Sequence, residues 1–333
     1  MSSKNEYYIG IDIGGTKIAA GIVGSDGNLL KKVLRSTPTN GRDEVLFVLK
    51  EMIFELIRFS EHEQLTPIIG LGIGTAGQVE FETGVVLSGT TNIKDWNNVP
   101  LREELSKICH LPVWVDNDVN TLAIAEKYFG NAQQVNNFVC LALGTGVGGA
   151  VYTPAGMLRG AWGAAAELGH ISIDFNGYPC NCGFRGCLEQ YASGTGIAKR
   201  MQEKITTITD PNHPLFVWKE KVEQVTSKQV FQWFEKGDPM AKEVIDQMIK
   251  ALSFGIVSII HSFNPSMIIL GGGLLKHNDW ICEKVSKEVR KLGISSLVTP
   301  VQIIKAGLED EAGLIGAAYQ AGIYRETSSF LSL

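Results

Sequence analysis

Apolar residues in this chain fall in short runs broken by glycine, the pattern of buried strands joined by tight turns. YYIGIDIGG, TKIAAGIVG and LLKKVLRS read as three strands, the first two forming a hairpin over residues 7–24. The period then changes to helical in VLFVLKEMIFELIRF, with Val45, Phe47, Val48, Met52, Phe54, Leu56 and Ile57 apolar. PIIGLGIGTAG is another buried strand ending in glycines, and PLREELSKIC a short helix. LPVWVDNDVNTLAIAEKYFG gives a strand, a polar corner and a helix.

The pattern then starts again. FVCLALGTGVGGAVY at 138–152 is a strand, a Gly/Thr turn and a strand, so that Leu143-Gly144 lines up with Ile13-Gly14. Two such units, each followed by helices and strands, imply an internal duplication: an α/β protein of two duplicated lobes with an interlobe cleft. Helices over about 227–261 read as scaffold, PSMIILGGGLL as a strand entering a glycine turn, and a last helix starts near Asp310. Chain crossings near 116 and 310 then define a small lobe, 1–116 plus about 310–333, and a larger lobe, 117–309.

Composition narrows the partners. The 333 residues are 44% apolar and 20% charged, with a net charge of −5 that supplies no basic surplus for nucleic acid. The longest apolar runs are too short and glycine-broken to span a bilayer, and MSSKNEYYIG leads into a strand without a signal segment. Six cysteines in a chain this long do not make a disulfide scaffold and suit a reducing cytoplasm.

Candidate chemistry concentrates in ELGHISIDFNGYPCNCGFRGCLEQYASG, Glu167 to Gly194. His170, Cys180, Cys182 and Cys187 are a full Cys₃His set for zinc, on a loop whose glycines let a short chain wrap an ion. Read alone, the ion could be structural or catalytic. Three glycine turns follow apolar strands: Asp12-Ile-Gly-Gly-Thr-Lys17, Gly144-Thr-Gly-Val-Gly-Gly149 and Gly271-Gly-Gly273. Each alone could be only a turn; together they favour a nucleotide phosphate clamp that is neither a P-loop nor a Rossmann turn. Asp12, at the end of a buried strand, either caps its turn or sits near Mg²⁺ and the polyphosphate. In DNDVN, one of Asp116, Asn117 and Asp118 could simply cap the next helix. Four polar residues in five positions exceed a cap, and Asp118 is the candidate base for a phosphoryl acceptor hydroxyl.

Together these segments resemble the ROK family of sugar kinases and repressors, within the actin-like ATPase (ribonuclease H-like) fold. The resemblance covers essentially the whole chain and rests on DIGGTK at 12–17, DNDVN at 116–120, LGTGVGG at 143–149, Gly169-His170 and CNCGFRGCLE at 180–189. It implies that Asp118 deprotonates the sugar 6-hydroxyl for attack on the γ-phosphate of ATP. Asn117, Glu167, His170 and Glu189, with Asn92 and the Gly77 turn on the facing lobe, would bond the sugar hydroxyls. Asp12, Gly14, Gly15, Thr16 and Lys17, with Gly144, Thr145 and Gly146, would surround the phosphates and Mg²⁺, and Gly271 and Gly272 would approach the adenosine. The zinc would be structural, the protein a homodimer. Family repressors carry an extra N-terminal helix-turn-helix, for which a strand beginning near Tyr7 leaves no room. One departure concerns Ala166: glucokinase-like members usually have Gly before the sugar-binding Glu. AAELGH, PVWVDND and NIKDWN look closer to N-acetylmannosamine kinase domains. Glucose is the first expectation, an N-acetylhexosamine (mannosamine or glucosamine) the second. A non-catalytic sugar-sensing regulator and a zinc hydrolase stand as readings from other classes.

Overall fold

The computed structural model describes residues 6–89 and 92–325. The end of the expected C-terminal segment, 326–333, therefore lies outside the described residues. The chain opens with β1 (Tyr7–Ile13), β2 (Lys17–Gly24) and β3 (Leu29–Ser36), an antiparallel meander. Helix α1 (Arg42–His62) follows, then β4 (Ile68–Thr75), the hairpin β5 (Gly77–Glu80) and β6 (Val85–Gly89), α2 (Leu101–Cys109), β7 (Val113–Asn117) and α3 (Asp118–Tyr128). A second run begins with β8 (Phe138–Leu143), β9 (Val147–Thr153) and the short β10 (Gly156–Met157). It continues through α4 (Glu189–Ala192), α5 (Gly194–Thr206), α6 (Ser227–Glu235) and α7 (Pro239–Phe263). Then come β11 (Met267–Gly271), α8 (Trp280–Val289), α9 (Ser295–Val298), β12 (Gln302–Lys305) and finally α10 (Ala312–Tyr324).

Two five-stranded sheets repeat one order, β3-β2-β1-β4-β7 and β10-β9-β8-β11-β12. In the first, β1 pairs antiparallel with β2 and parallel with β4, which runs parallel to β7. In the second, β9 is antiparallel to β10, and β11 runs parallel to both β8 and β12. The expected duplication is thus present in strand order, and β8, β11 and β12 run parallel as β1, β4 and β7 do.

The compact units divide differently from the crossings expected near 116 and 310. One takes the chain up to Asn136, Ala150–Ala166 and the segment from Ala306 on; the other takes Asn137–Gly149 and Glu167–Lys305. Helix α3 therefore belongs to the first unit, and the cause is its packing on α10. A Cβ at Gly316 would overlap Thr121 O, so the two helices meet backbone to backbone. On its other side α10 lies against β4, where a Cβ at Gly72 would overlap Ala317 O. This explains why the strand is glycine-rich and the helix alanine-rich.

The core of the first unit packs Ile9, Ile11, Ile13, Leu71, Ile73 and Val115 from the sheet with Leu49, Met52 and Ile53 of α1. The buried stripe of α1 is Val45, Leu49, Met52, Ile53, Leu56 and Ser60, whereas Phe47 is 62% and Phe54 37% exposed. Those two rings fall off the three-and-four spacing that faces the sheet. In the second unit α7 is, among the described residues, the one helix long and apolar enough to cross a membrane. Its stripe Val244, Ile245, Met248, Leu252, Ile256 and Ile259 is buried in the fold instead. Asp238 caps its start by accepting from Ala241 N–H, Pro239 takes the first turn, and Asn264 ends it in a left-handed conformation.

Candidate active site

Parallel register in the first unit brings distant motifs together. Ile13, Thr75 and Asn117 share one row across β1, β4 and β7, with Asp12, Gly74 and Asp116 in the row before. The first glycine turn closes through Gly14 N–H donating to Lys17 O at 3.0 Å. Thr37 braces it, its hydroxyl donating to Gly14 O at 2.7 Å and its N–H to Thr16 O at 3.1 Å. Thr16 and Lys17 are exposed, and the Asn92 amide fills the place a Cβ on Gly15 would need.

Asp12 lies under this turn. Burial first, then the charge of Asp118, pushes its carboxyl up to about 7, against the opposing pull of Lys17 and Lys32. Gly313, in the first turn of α10, permits the approach, since a Cβ there would lie 3.0 Å from Asp12 Oδ2. Such a carboxylate gains from a divalent cation; Mg²⁺, usually held by one or two carboxylates plus phosphate oxygens, fits it.

The DNDVN corner divides its labour. Asp116 is fully buried and accepts from Asn117 N–H at 2.8 Å, Asn120 Nδ2 at 2.7 Å, and Arg159 Nη2 at 2.7 Å and Nε at 3.1 Å. Arg159 lies over the Phe81 ring, 3.7 Å from its centroid, and donates to Tyr324 Oη at 2.9 Å. Burial works against the guanidinium charge, but Asp116 and Tyr324 outweigh it and raise the Arg159 pKa. Asp116 is therefore committed to the fold. Asn117 is the cap of α3: its Oδ1 accepts from Val119 N–H at 2.8 Å and Asn120 N–H at 3.3 Å. Its Nδ2 donates to Gly77 O at 2.9 Å. Asn117 and Gly77, expected on facing lobes, thus belong to one unit and bond directly, because the cap turns the amide back toward β5. Asp118, half-buried in the first turn of α3, accepts from Val119 N–H at 3.0 Å and is the acid whose charge reaches Asp12.

In the second unit the predicted residues gather around Val147. The Gly144 turn closes through Gly144 N–H donating to Gly146 O at 3.0 Å, and Gly194 N–H donates to Gly144 O at 2.8 Å. Val147 N–H donates to Glu189 Oε2 at 3.0 Å, and a Cβ on Gly169 would overlap Val147 O. The phosphate-type turn is thereby pinned between α4 and the turn carrying His170. Glu167 precedes that turn, exposed, its carbonyl accepting from His170 N–H at 3.0 Å. Thr145 is exposed at the tip of its own turn. Gly271 pairs with Ala142 across β11 and β8. Gly272, with φ of 90°, packs against Leu143 where no Cβ fits.

The ligand atoms of His170, Cys180, Cys182 and Cys187 all lie within 4.8 Å of one another. Cys182 Sγ and Cys187 Sγ are 3.6 Å apart, and His170 Nδ1 is 3.6 Å from Cys180 Sγ. A tetrahedron with zinc–sulfur bonds of about 2.3 Å has edges of about 3.8 Å, so the donor set fits zinc. Burial first, then the neighbouring Cys182 and Cys180 thiols, pushes the Cys187 thiol up to about 12, a penalty a bound dication removes. Ligation through Nδ1 leaves His170 Nε2 for another partner.

Three supporting residues escape a reading of the sequence. Arg159 is one: an aspartate ending an apolar strand demands a partner, but nothing local says which. Glu126 is another, fully buried at the end of α3, accepting from Gly307 N–H at 2.8 Å, Leu308 N–H at 3.1 Å and Asn131 N–H at 2.9 Å. The third is Gln190, beside the cysteines.

Two units of one strand order, with glycine turns at equivalent strand ends, define an actin-like ATPase fold. The chain belongs to the ROK family, whose model matches residues 8–322. It is 36% identical over 313 residues to a glucokinase from Thermotoga maritima, covering 93% of this chain and 95% of that protein. It is also 30% identical over 271 residues to a xylose repressor from Caldicellulosiruptor bescii, covering 80% of this chain and 67% of that one. Among solved structures, a ROK family glucokinase from Streptomyces griseus in complex with glucose and AMPPNP matches with a TM-score of 0.80 at 31% identity. That match covers 95% of this chain and 99% of the other.

Proposed function

We propose that this chain, an ATP-dependent sugar kinase, transfers the γ-phosphate of ATP to the 6-hydroxyl of glucose with Asp118 as general base. The observation that carries the reading is the division of roles among the acids of the first unit. Asp116 is used up by Arg159 and Asn120. Asp12 is raised to about 7 under the glycine turn. Asp118 stands half-buried in the first turn of a capped helix, its charge reaching Asp12, and takes the proton-abstracting role. Similarity to the Thermotoga maritima glucokinase and to the glucose-bound Streptomyces griseus enzyme supports the same substrate.

In this reading Asn117, held by its cap and by Gly77, Asn92 beside Gly15, and Glu167, His170 and Glu189 orient the sugar hydroxyls. Gly14 and Gly144 close their turns, and the backbone of Gly15 and Thr16, and of Thr145 and Gly146, lies around the phosphates, with Lys17 as a point charge. Gly271 and Gly272 approach the adenosine. Asp12 holds Mg²⁺, which neutralises charge on the phosphates when bound. His170 Nδ1 and the thiolates of Cys180, Cys182 and Cys187 would hold zinc with four protein ligands, a structural ion that would fix the loop. A cytoplasmic location fits six cysteines that are all free of disulfides, and a homodimer is carried over from the family resemblance.

One observation favours the second substrate. Ala166, directly before Glu167, holds a φ of 66° that glycine adopts more readily. Its methyl group adds bulk beside Glu167, which this reading places on the sugar, and so bears on an N-acetylhexosamine as substrate. The test is a coupled ADP-release assay over glucose, mannose, fructose, N-acetylglucosamine and N-acetylmannosamine. The highest kcat/KM with glucose is expected. A maximum with N-acetylmannosamine would move the substrate, and no sugar-dependent ADP release would leave a regulator.

A further inference from the structure

The metal knot has a supporting residue that the proposed reaction does not use. Gln190 is buried, 9% exposed, in the short helix α4. Its Nε2 lies 3.4 Å from Cys180 Sγ, and its backbone N–H donates to Cys187 O at 2.9 Å. One residue therefore touches two of the four ligand-bearing positions. Its neighbour Glu189 reaches the other way, accepting from Val147 N–H at 3.0 Å in the second glycine turn.

We infer that Gln190 is a positioning residue of the zinc centre, donating an amide N–H to the Cys180 thiolate and locking the knot to the helix that carries Glu189. A metal-bound thiolate has no proton and can only accept, so the amide N–H, not its carbonyl, faces the sulfur. Three thiolates on a dication leave one net negative charge in a partly buried site, and a donor aimed at one sulfur spreads that charge. The same bond fixes the side chain of Gln190 and, through the peptide, the direction in which Glu189 leaves α4. Removing it weakens metal retention first and loosens the Val147 contact second.

The test compares the native protein with Gln190→Leu and Gln190→Met, which keep the volume and remove the donor. Zinc transfer to a chromogenic chelator is expected to be about tenfold or more faster in both variants, the range typical of outer-shell partners of metal ligands. In cobalt-substituted protein the sulfur-to-metal charge-transfer band is expected to move to lower energy. A role in packing alone would not shift that band. Should the leucine variant fail to fold, the methionine variant decides. Unchanged chelator rates and an unchanged band overturn the inference while leaving the proposed kinase reaction standing. A native protein that takes up neither zinc nor cobalt overturns it together with the metal reading of the knot.

Discussion

The two glycine turns occupy the same place in duplicated sheets, after the first strand of each, yet they are built differently. The turn at Gly14–Lys17 carries its own chemistry: Asp12 lies beneath it, Lys17 ends it, and its brace, Thr37, comes from the adjoining end of β3. The turn at Gly144–Gly146 has no ionisable residue of its own. Its charge arrives from Glu189, and its shape is held by Gly194 and by the packing of Gly169 on Val147. Duplication preserved the strand–glycine turn–strand backbone and let the side chains around it diverge. One turn sits beside the acids proposed to act; the other is fastened to the Cys₃His loop proposed to hold zinc.

The largest expected effect separates these roles. Asp118→Asn should lower kcat by about 10²–10⁴-fold, the range for a lost general base, with glucose affinity and zinc content unchanged. Wild-type turnover in that variant would remove the base from the first unit. Cys182→Ser attacks the other side: zinc should be lost and the glucose KM should rise with it, whereas kcat should fall less than in Asp118→Asn. Zinc loss with unchanged sugar kinetics would cut the knot from the substrate site.

A third substitution asks whether the second turn is a cradle at all. A Cβ on Gly144 would meet nothing within 4 Å. Gly144→Ala should therefore leave stability within about 0.5 kcal/mol. If phosphates approach the turn, the ATP KM should still rise on the order of tenfold, the equivalent of one impaired hydrogen bond. Unchanged ATP kinetics would make the glycine a turn residue only.

For Asp12 the expected readout is pH. Its folded pKa, about 7, stands above the unfolded value, so its protonated form stabilises the protein fully below the unfolded pKa and that stability is lost as pH rises toward and through 7. Asp12→Asn should match wild type near pH 4 and exceed it above pH 7, by roughly 2–4 kcal/mol at most, in denaturant titrations without ligands. Mg²⁺ affinity of the wild type should climb through the same window. A stability difference that does not change with pH would contradict the buried, like-charged setting of Asp12. The smallest effect is at Ala166, where relief of the left-handed conformation by Ala166→Gly should stabilise by up to about 1 kcal/mol. Destabilisation would show that the methyl group is held by its neighbours.

What could be seen beforehand follows the same contrast. The first turn, the cysteine spacing and the repeated strand–turn–strand were legible because each is local, carried by residues within a few positions of one another. The placement of Asn117 and Asp118 in the first unit was not, because it depends on Gly316 meeting Thr121 across two helices far apart in the chain. The partner of Asp116 is Arg159, and no periodicity links them. Phe47 and Phe54 counted as apolar in a helical window, but only the stripe through Leu49 and Ile53 faces the sheet. That Ala166 directly precedes Glu167 was visible; its φ of 66° was not.

The central claim, phosphoryl transfer from ATP to a sugar 6-hydroxyl, is tested most directly by ³¹P NMR of the protein incubated with Mg·ATP and glucose. The account predicts ADP and a phosphomonoester at the 6-position in equal amounts, and no ester with 6-deoxyglucose. ATP left intact, free phosphate without a sugar ester, or an ester formed equally well on 6-deoxyglucose would contradict it.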